Sequence, residues 1–121
     1  MKSNKNTKIL VNSIVEGIQE KKGHHISIAD LSHIGDTICS YLVICDANSP
    51  TQVSAIADSI REFTVKKVGE KPNAVHGLNN SVWVAMDYVD VMVHVFLPET
   101  REFYDIDNLW EDAEVTSVPD I

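Results

Sequence analysis

The sequence predicts an α/β fold in which helices flank a mixed five-stranded sheet. Three observations carry this prediction. Two stretches have apolar residues at helical spacing, one run is continuously apolar and β-rich, and two adjoining stretches alternate apolar and polar residues. The order is helix, strand, strand, helix and three strands, without internal repeats. With 121 residues, 44% of them hydrophobic, the chain fits one domain with a single core.

The first part of the chain predicts a helix and two strands. Residues 7–22 carry the apolar stripe of a helix, and Gly23 ends it. The segment HHISIADL alternates and predicts a half-buried strand. The run CSYLVIC is apolar at successive positions, which is typical of a central strand covered on both faces.

The second helix has the clearest boundaries. Ser49 is suited to the N-cap, Pro50 to the first helical position, and Gln52 to completing a capping box, while Gly69 ends the helix. Its apolar stripe comprises Val53, Ile56, Ala57, Ile60 and Phe63.

The C-terminal half predicts three further strands. A short extended piece at 73–76 leads into a turn at 77–80, and residues 82–88 and 90–97 alternate as a β-hairpin. After Pro98 we expect a short helix and a turn. The single domain would then have its core at about residues 7–112 and a loose acidic C-terminal tail.

The formal net charge is −8, and it is unevenly distributed. Between Pro98 and Ile121 there are eight acidic residues and one basic residue, Arg101. An acidic surface repels phosphate backbones and favours a basic protein partner. The charge therefore argues against strong direct nucleic-acid binding. Solubility alone is the simpler explanation of an acidic surface.

Features of a membrane span and a secretory signal are absent from the sequence, so we expect a cytoplasmic protein. Cys39 and Cys45 would lie about 20 Å apart on an extended strand, too far for a disulfide bond. They are expected to be buried free thiols in a reducing compartment.

The histidines do not predict a metal site. His24 and His25 are adjacent and would face opposite ways on a strand, while His33, His76 and His94 have no partner at ligand spacing. For His94, between valines, we expect a hydrogen-bonded core or interface position.

The sequence also gives no positive support for catalysis. Its five glycines stand alone, so no phosphate-binding loop is present, and no serine lies in a nucleophile elbow. Asp87 and Asp90 could form a carboxylate pair for a metal. Their simpler interpretation is that of turn residues capping the hairpin. We expect no enzyme activity, no cofactor and no metal.

Several short motifs in a fixed order nevertheless distinguish this chain. They are Ala57-Asp58 in the second helix, His76-Gly77, Trp83, Asp87, Asp90, Val91, Val93 and His94 in the hairpin, then Arg101, Tyr104, Leu109 and Trp110. In this order and spacing they resemble the ribosomal silencing factor (RsfS, Iojap-like) family from about Val11 to Trp110.

The resemblance implies a nucleotidyltransferase-like fold without catalytic residues, and Gly35-Asp36 stands where those enzymes have a Gly-Ser pair. It implies binding to the fourteenth large-subunit ribosomal protein, which sterically blocks association with the small subunit and represses translation under nutrient limitation. It also implies a homodimer in the free state. The alternatives are a degenerate nucleotidyltransferase-like nucleotide-binding protein and a dimeric scaffold for another basic protein.

For the ribosomal-protein-binding surface, Trp83 is the predicted anchor, with a core position as its alternative. The polar residues predicted around it, at the hairpin tip and just after it, are Asp87, Tyr88, Asp90, Glu99 and Arg101. Tyr104 and Trp110 are expected to pack the C-terminal turns onto the sheet.

Val89 departs from the family pattern, in which glycine is usual between the hairpin tyrosine and aspartate. Glycine there indicates a positive φ, which a β-branched residue resists. The turn in this chain is therefore expected either to have another type or to be strained.

Overall fold

The computed structural model describes residues 5–34, 39–110 and 113–119, with only the backbone at 5, 109 and 110. The helices are α1 (Lys5–Glu20), α2 (Pro50–Val68), α3 (Pro98–Tyr104) and a 3₁₀ helix (Ile106–Trp110). The strands are β1 (His24–Asp30), β2 (Tyr41–Asp46), β3 (Ala74–His76), β4 (Trp83–Asp87), β5 (Val91–Phe96) and β6 (Glu114–Val118).

The strands form one mixed sheet in the order β3-β4-β5-β2-β1-β6. Strands β2 and β5 are parallel and central, and the other neighbours are antiparallel. The predicted mixed α/β fold and the central position of the apolar run are therefore confirmed.

The prediction of five strands and a loose tail is wrong at the C-terminus. Strand β6 pairs with β1, with Val118 opposite Ile26 and Glu114 opposite Asp30. The pairing satisfies backbone groups of an edge that would otherwise face solvent. The segment carries the β-branched residues Val115, Thr116 and Val118, which favour a strand, and pairing with β1 orders it.

The local signals of α2 are confirmed with one adjustment. Ser49 Oγ accepts a hydrogen bond from the Gln52 N–H at 3.1 Å, and Gly69 ends the helix with a φ of 73°. The Gln52 side chain accepts from the backbone of Asn48 (2.9 Å), one residue before the expected capping-box partner. It also donates to the backbone oxygens of Lys21 and Lys22, so it joins the start of α2 to the end of α1.

Helices α1 and α2 pack together against one face of the sheet and form the main core. They approach closely at Gly17, where an added Cβ would lie 2.8 Å from the Ile60 Cα. Ser59 Oγ donates to the Gly17 carbonyl oxygen at 2.7 Å across this contact. The completely buried valines Val43, Val84 and Val93 meet this helical layer from the sheet.

The opposite face of the sheet, which we call the second face, has a smaller core. Leu31, Leu42, Ile44 and Phe96 form its centre, and Ile106 of the 3₁₀ helix packs against them. Both cysteines are buried and neither forms a disulfide bond, as predicted, and burial raises the pKa of each thiol. Over the described residues, no helix combines the length and apolar character needed to span a membrane.

Candidate functional site

The second face remains partly open along the β4–β5 hairpin. Trp83, Ala85 and Asp87 alternate toward it from β4, with Met92 and His94 from β5, and all five are half-buried. The intervening residues of these strands point into the main core. This part of the sheet therefore presents side chains that α1 and α2 do not cover.

Trp83 is the centre of an aromatic cluster on this face. Its ring centroid lies 4.9 Å from that of Tyr104, 5.0 Å from Phe96 and 5.9 Å from His94. Trp83 Nε1 donates a hydrogen bond to His94 Nδ1 at 2.9 Å. Burial lowers the pKa of His94 to about 4, so at neutral pH the imidazole is uncharged and can accept this bond.

The cluster continues outward onto α3. Phe103 meets Tyr104 edge-on at 5.0 Å, and their side chains are 79% and 51% exposed. We call Trp83, His94, Phe96, Phe103 and Tyr104 together the aromatic face. Trp83 is half-buried within the aromatic face, so its position is intermediate between the exposed anchor and the core residue that the sequence left as alternatives. Tyr104 packs the C-terminal turn onto the sheet, as expected, while the Trp110 side chain lies outside the described residues.

Exposed acidic residues lie on the same short helix as Phe103 and Tyr104. Glu99 and Glu102 are exposed on α3, and Asp105 is exposed at its C-cap, where φ is 51°. Exposed aromatic rings within a polar rim are characteristic of protein interfaces. The surface thus combines contact area with negative charge.

The tip of the hairpin is a strained turn. Asp87 Oδ1 accepts a hydrogen bond from the Val89 N–H at 2.7 Å, so the interpretation of Asp87 as a turn cap is confirmed. Val89 is 59% exposed and has a φ of 73°, in the left-handed region. Of the two alternatives for this turn, the structure has the strained one, with valine at a glycine-type position.

Tyr88 does not belong to the predicted contact surface. Its side chain is 5% exposed, and its hydroxyl lies 2.9 Å from Thr64 Oγ1 beneath α2. The strand alternation already indicated this orientation, because Tyr88 shares its parity with the buried residues Val84 and Met86. Burial also raises the pKa of the phenol.

Arg101 is also not an exposed rim residue. Its side chain is 11% exposed and forms ion pairs with Asp107 at 2.7 Å and with Asp46 at 3.2 Å. Burial acts to lower the pKa of Arg101, but the two carboxylates outweigh it and raise the pKa. Sequence analysis missed Asp46 and Asp107, because the first lies 55 positions from Arg101 and no local motif connects them.

The remaining predicted contacts lie at two ends of the hairpin. Trp83 is paired with Phe96 beside α3, close in sequence to Glu99, whereas Asp87 is paired with Met92 beside the turn that contains Asp90. Asp87 lies four residue steps along the extended strand from Trp83, a distance of about 13 Å. A partner that meets the aromatic face therefore reaches the hairpin tip only if its own surface extends that far.

His24 and His25 do not lie on the regular strand that the sequence-based prediction of opposite orientations assumed. A bulge interrupts β1 at His25, which has a φ of 54° and places Nδ1 at 3.1 Å from Asp46. Within the described residues there is no group of three or more His, Cys, Asp or Glu side chains that could hold a metal ion. Gly35-Asp36 lies outside the described residues.

The family model for "Ribosomal silencing factor during starvation" matches residues 4–121. The chain is 30% identical to ribosomal silencing factor RsfS of Bacillus subtilis over 113 residues, which are 93% of this chain and 94% of that protein. The chain belongs to the RsfS family. The RsfS protein of Halalkalibacterium halodurans is 31% identical and is covered over 87% of its length.

Solved structures agree with this membership. The structure superposes on a crystal structure from Chromobacterium violaceum with a TM-score of 0.79 at 30% identity, covering 85% of this chain and 84% of that one. A second crystal structure, from Bacillus halodurans, gives a TM-score of 0.75 at 27% identity, with 93% and 98% covered. The predicted family and its α/β fold are both confirmed, and RsfS membership supports a role in silencing ribosomes.

Proposed function

We propose that this RsfS-family protein binds the large ribosomal subunit through its aromatic face and blocks association with the small subunit. The observation that carries the proposal is the aromatic face itself. Two exposed rings, Phe103 and Tyr104, extend from the half-buried Trp83 on a helix that also carries exposed acidic residues. Such a surface fits a partner with apolar contacts and basic side chains.

Charge distribution supports a basic protein as the partner. From Pro72 to Ile121 the sequence has ten acidic residues, and Arg101 is the one lysine or arginine. Asp46 and Asp107 pair with that arginine internally, so its charge contributes little to attracting anions. We propose the fourteenth large-subunit ribosomal protein as this partner, as the family resemblance implies.

Silencing by this route needs occupancy and bulk, not a reaction. A folded 13.5 kDa domain at the subunit interface excludes the opposing surface sterically. Repulsion from rRNA phosphates would disfavour other docking positions of the acidic half. We further propose that the free protein is a homodimer, which sedimentation equilibrium would test directly.

Binding can be tested with a substitution that leaves the fold intact. Phe103→Ala removes an exposed ring, so folding should be preserved, while truncation of an interface anchor costs about 2 kcal/mol, or roughly 30-fold in Kd. Val65→Ala is the matched control, because Val65 is an exposed apolar residue on α2, remote from the aromatic face. Kd is measured by co-sedimentation with isolated large subunits.

We expect Phe103→Ala to bind large subunits more weakly than the wild type and Val65→Ala to bind them with unchanged Kd. If both variants bound large subunits with the wild-type affinity, the aromatic face would not be part of the binding surface. Binding of the wild type to small subunits alone would refute the proposed function. Thermal stabilisation by Mg-nucleotide would instead favour the nucleotide-binding alternative.

A further inference from the structure

Arg101 connects α3 and the 3₁₀ helix to the sheet through side-chain hydrogen bonds. Arg101 lies in α3, and its guanidinium makes five hydrogen bonds, as many as it has N–H groups. Nε and Nη2 donate to the two carboxylate oxygens of Asp107 at 2.9 and 2.7 Å. Nη1 donates to the His25 carbonyl oxygen at 2.8 Å and to Asp46 at 3.2 Å, and Nη2 also donates to Ser27 Oγ at 3.4 Å. The arginine thus connects the 3₁₀ helix, the end of β2 and the start of β1.

The start of β1 has an unusual backbone at the place where it receives this arginine. The pairing of β1 with β2 is irregular between His24 and Ser27, and His25 has a φ of 54°. A left-handed conformation at a non-glycine residue is costly and persists only where surrounding contacts maintain it. The carbonyl oxygen of His25 accepts from Arg101, and its ring lies 3.1 Å from Asp46. These two contacts of His25 lead to the same cluster.

Asp46 makes this cluster depend on the arginine. Its side chain is 6% exposed at the end of the central strand β2. A buried carboxylate is strongly destabilising unless a cation or hydrogen-bond donors accompany it. Arg101 supplies both a positive charge and a donor, and the same guanidinium extends to Asp107 on the other side.

Helix α3 is attached to the sheet at its start, where the N–H of its N-cap residue Leu97 donates to the Val82 carbonyl oxygen at 3.0 Å and Leu97 packs against the main core. The helix has seven residues, none of them buried, and its N-cap Leu97 makes no side-chain capping bond. A helix this short is not stable in isolation. Its ring contact with the sheet is that between Tyr104 and Trp83. Beyond its start, α3 is held against the sheet by this ring contact and by the hydrogen bonds of Arg101 to His25, Ser27 and Asp46.

We propose that Arg101 is a positioning residue for partner binding, which fixes α3 so that Phe103 and Tyr104 stay beside Trp83. This inference rests on the proposed function, in which the aromatic face contacts the large subunit. The role of Arg101 is geometric and not merely ionic. A lysine would keep the charge, but it cannot form the forked pair with Asp107 together with the other bonds.

The test compares three variants in two measurements. Arg101→Lys keeps the net charge, Asp107→Asn removes only the charge of the outer partner, and Tyr88→Phe is the control that removes a buried hydrogen bond under α2. The first measurement is the Trp83 indole N–H resonance in ¹⁵N-labelled protein, assigned with a Trp83→Phe sample. The second is the Kd for isolated large subunits.

We expect Arg101→Lys to shift the Trp83 resonance and to weaken binding at least about 10-fold, while Asp107→Asn changes both in the same direction by less. Tyr88→Phe should leave both measurements unchanged although it lowers stability, which separates positioning from general destabilisation. If Arg101→Lys does not fold, Asp107→Asn is compared with Tyr88→Phe instead. A shifted Trp83 resonance and weaker binding in Asp107→Asn alone would support the inference, and equal behaviour of the two variants would refute it.

The outcomes separate this inference from the proposed function. If the wild type binds and Arg101→Lys binds equally well, the positioning role is wrong and the proposed function stands. If Tyr88→Phe weakens binding as much as Arg101→Lys, Arg101 acts through stability alone and the inference is wrong. If the wild type itself does not bind large subunits, the proposed function fails and the partner role of Arg101 fails with it.

Discussion

Replacing Val89 with glycine should stabilise the protein. Val89 holds a φ of 73° at the hairpin tip and is 59% exposed, so its side chain contributes little burial. The left-handed conformation costs an L-residue about 1–2 kcal/mol, and glycine removes that cost. Glycine also gains freedom in the unfolded chain, which offsets about 0.5–1 kcal/mol. The net expectation is an increase of about 1 kcal/mol in the free energy of unfolding, or about 4 °C in Tm.

Reversible urea denaturation followed by circular dichroism measures this change. Val65→Gly is the control, because it makes the same substitution at an exposed position with helical backbone in α2. There glycine should destabilise by about 0.5 kcal/mol. If Val89→Gly were neutral, or destabilising like the control, Val89 would not be strained in this turn. The free-energy cost ascribed to its positive φ would then be wrong.

Two further predictions follow from buried polar groups. His94 is uncharged in the folded state with a pKa of about 4, whereas the unfolded chain has the ordinary value of 6.5. The unfolded state therefore binds more protons between these values, and stability should fall by about 2 kcal/mol from pH 7 to pH 5. Urea midpoints at both pH values measure this, and His94→Gln should lose most of the slope; an unchanged slope would contradict the assignment. Tyr88→Phe should lower the free energy of unfolding by about 1 kcal/mol, because it removes the buried hydrogen bond to Thr64 and leaves that hydroxyl only its donation to the Arg61 carbonyl oxygen; a variant as stable as wild type would argue against the Tyr88–Thr64 bond.

The parts of the fold that could be predicted are those with local causes. The ends of α2 follow from Ser49, Pro50 and Gly69, each of which acts within one turn of the helix. The apolar run of β2 required cover on both faces, and this placed it at the centre of the sheet. Strand β6 was missed because its order comes from pairing with β1, which lies 84 to 92 positions away in the sequence.

The candidate site was predicted less completely, for the same physical reason. Trp83 could be selected because a large aromatic residue on an alternating strand must contact either a core or a partner. The burial of Arg101 could not be foreseen, since its partners Asp46 and His25 lie 55 and 76 positions away. Tyr88 was a different case, because the alternation of β4 already directed it into the core.

The central claim is that the protein prevents the ribosomal subunits from joining, and light scattering of mixed purified subunits tests it most directly. With wild-type protein in stoichiometric amount over large subunits, the scattering increase that reports joining should be suppressed. Phe103→Ala should require roughly 30-fold more protein for the same suppression. Full joining in the presence of excess wild-type protein would contradict the account.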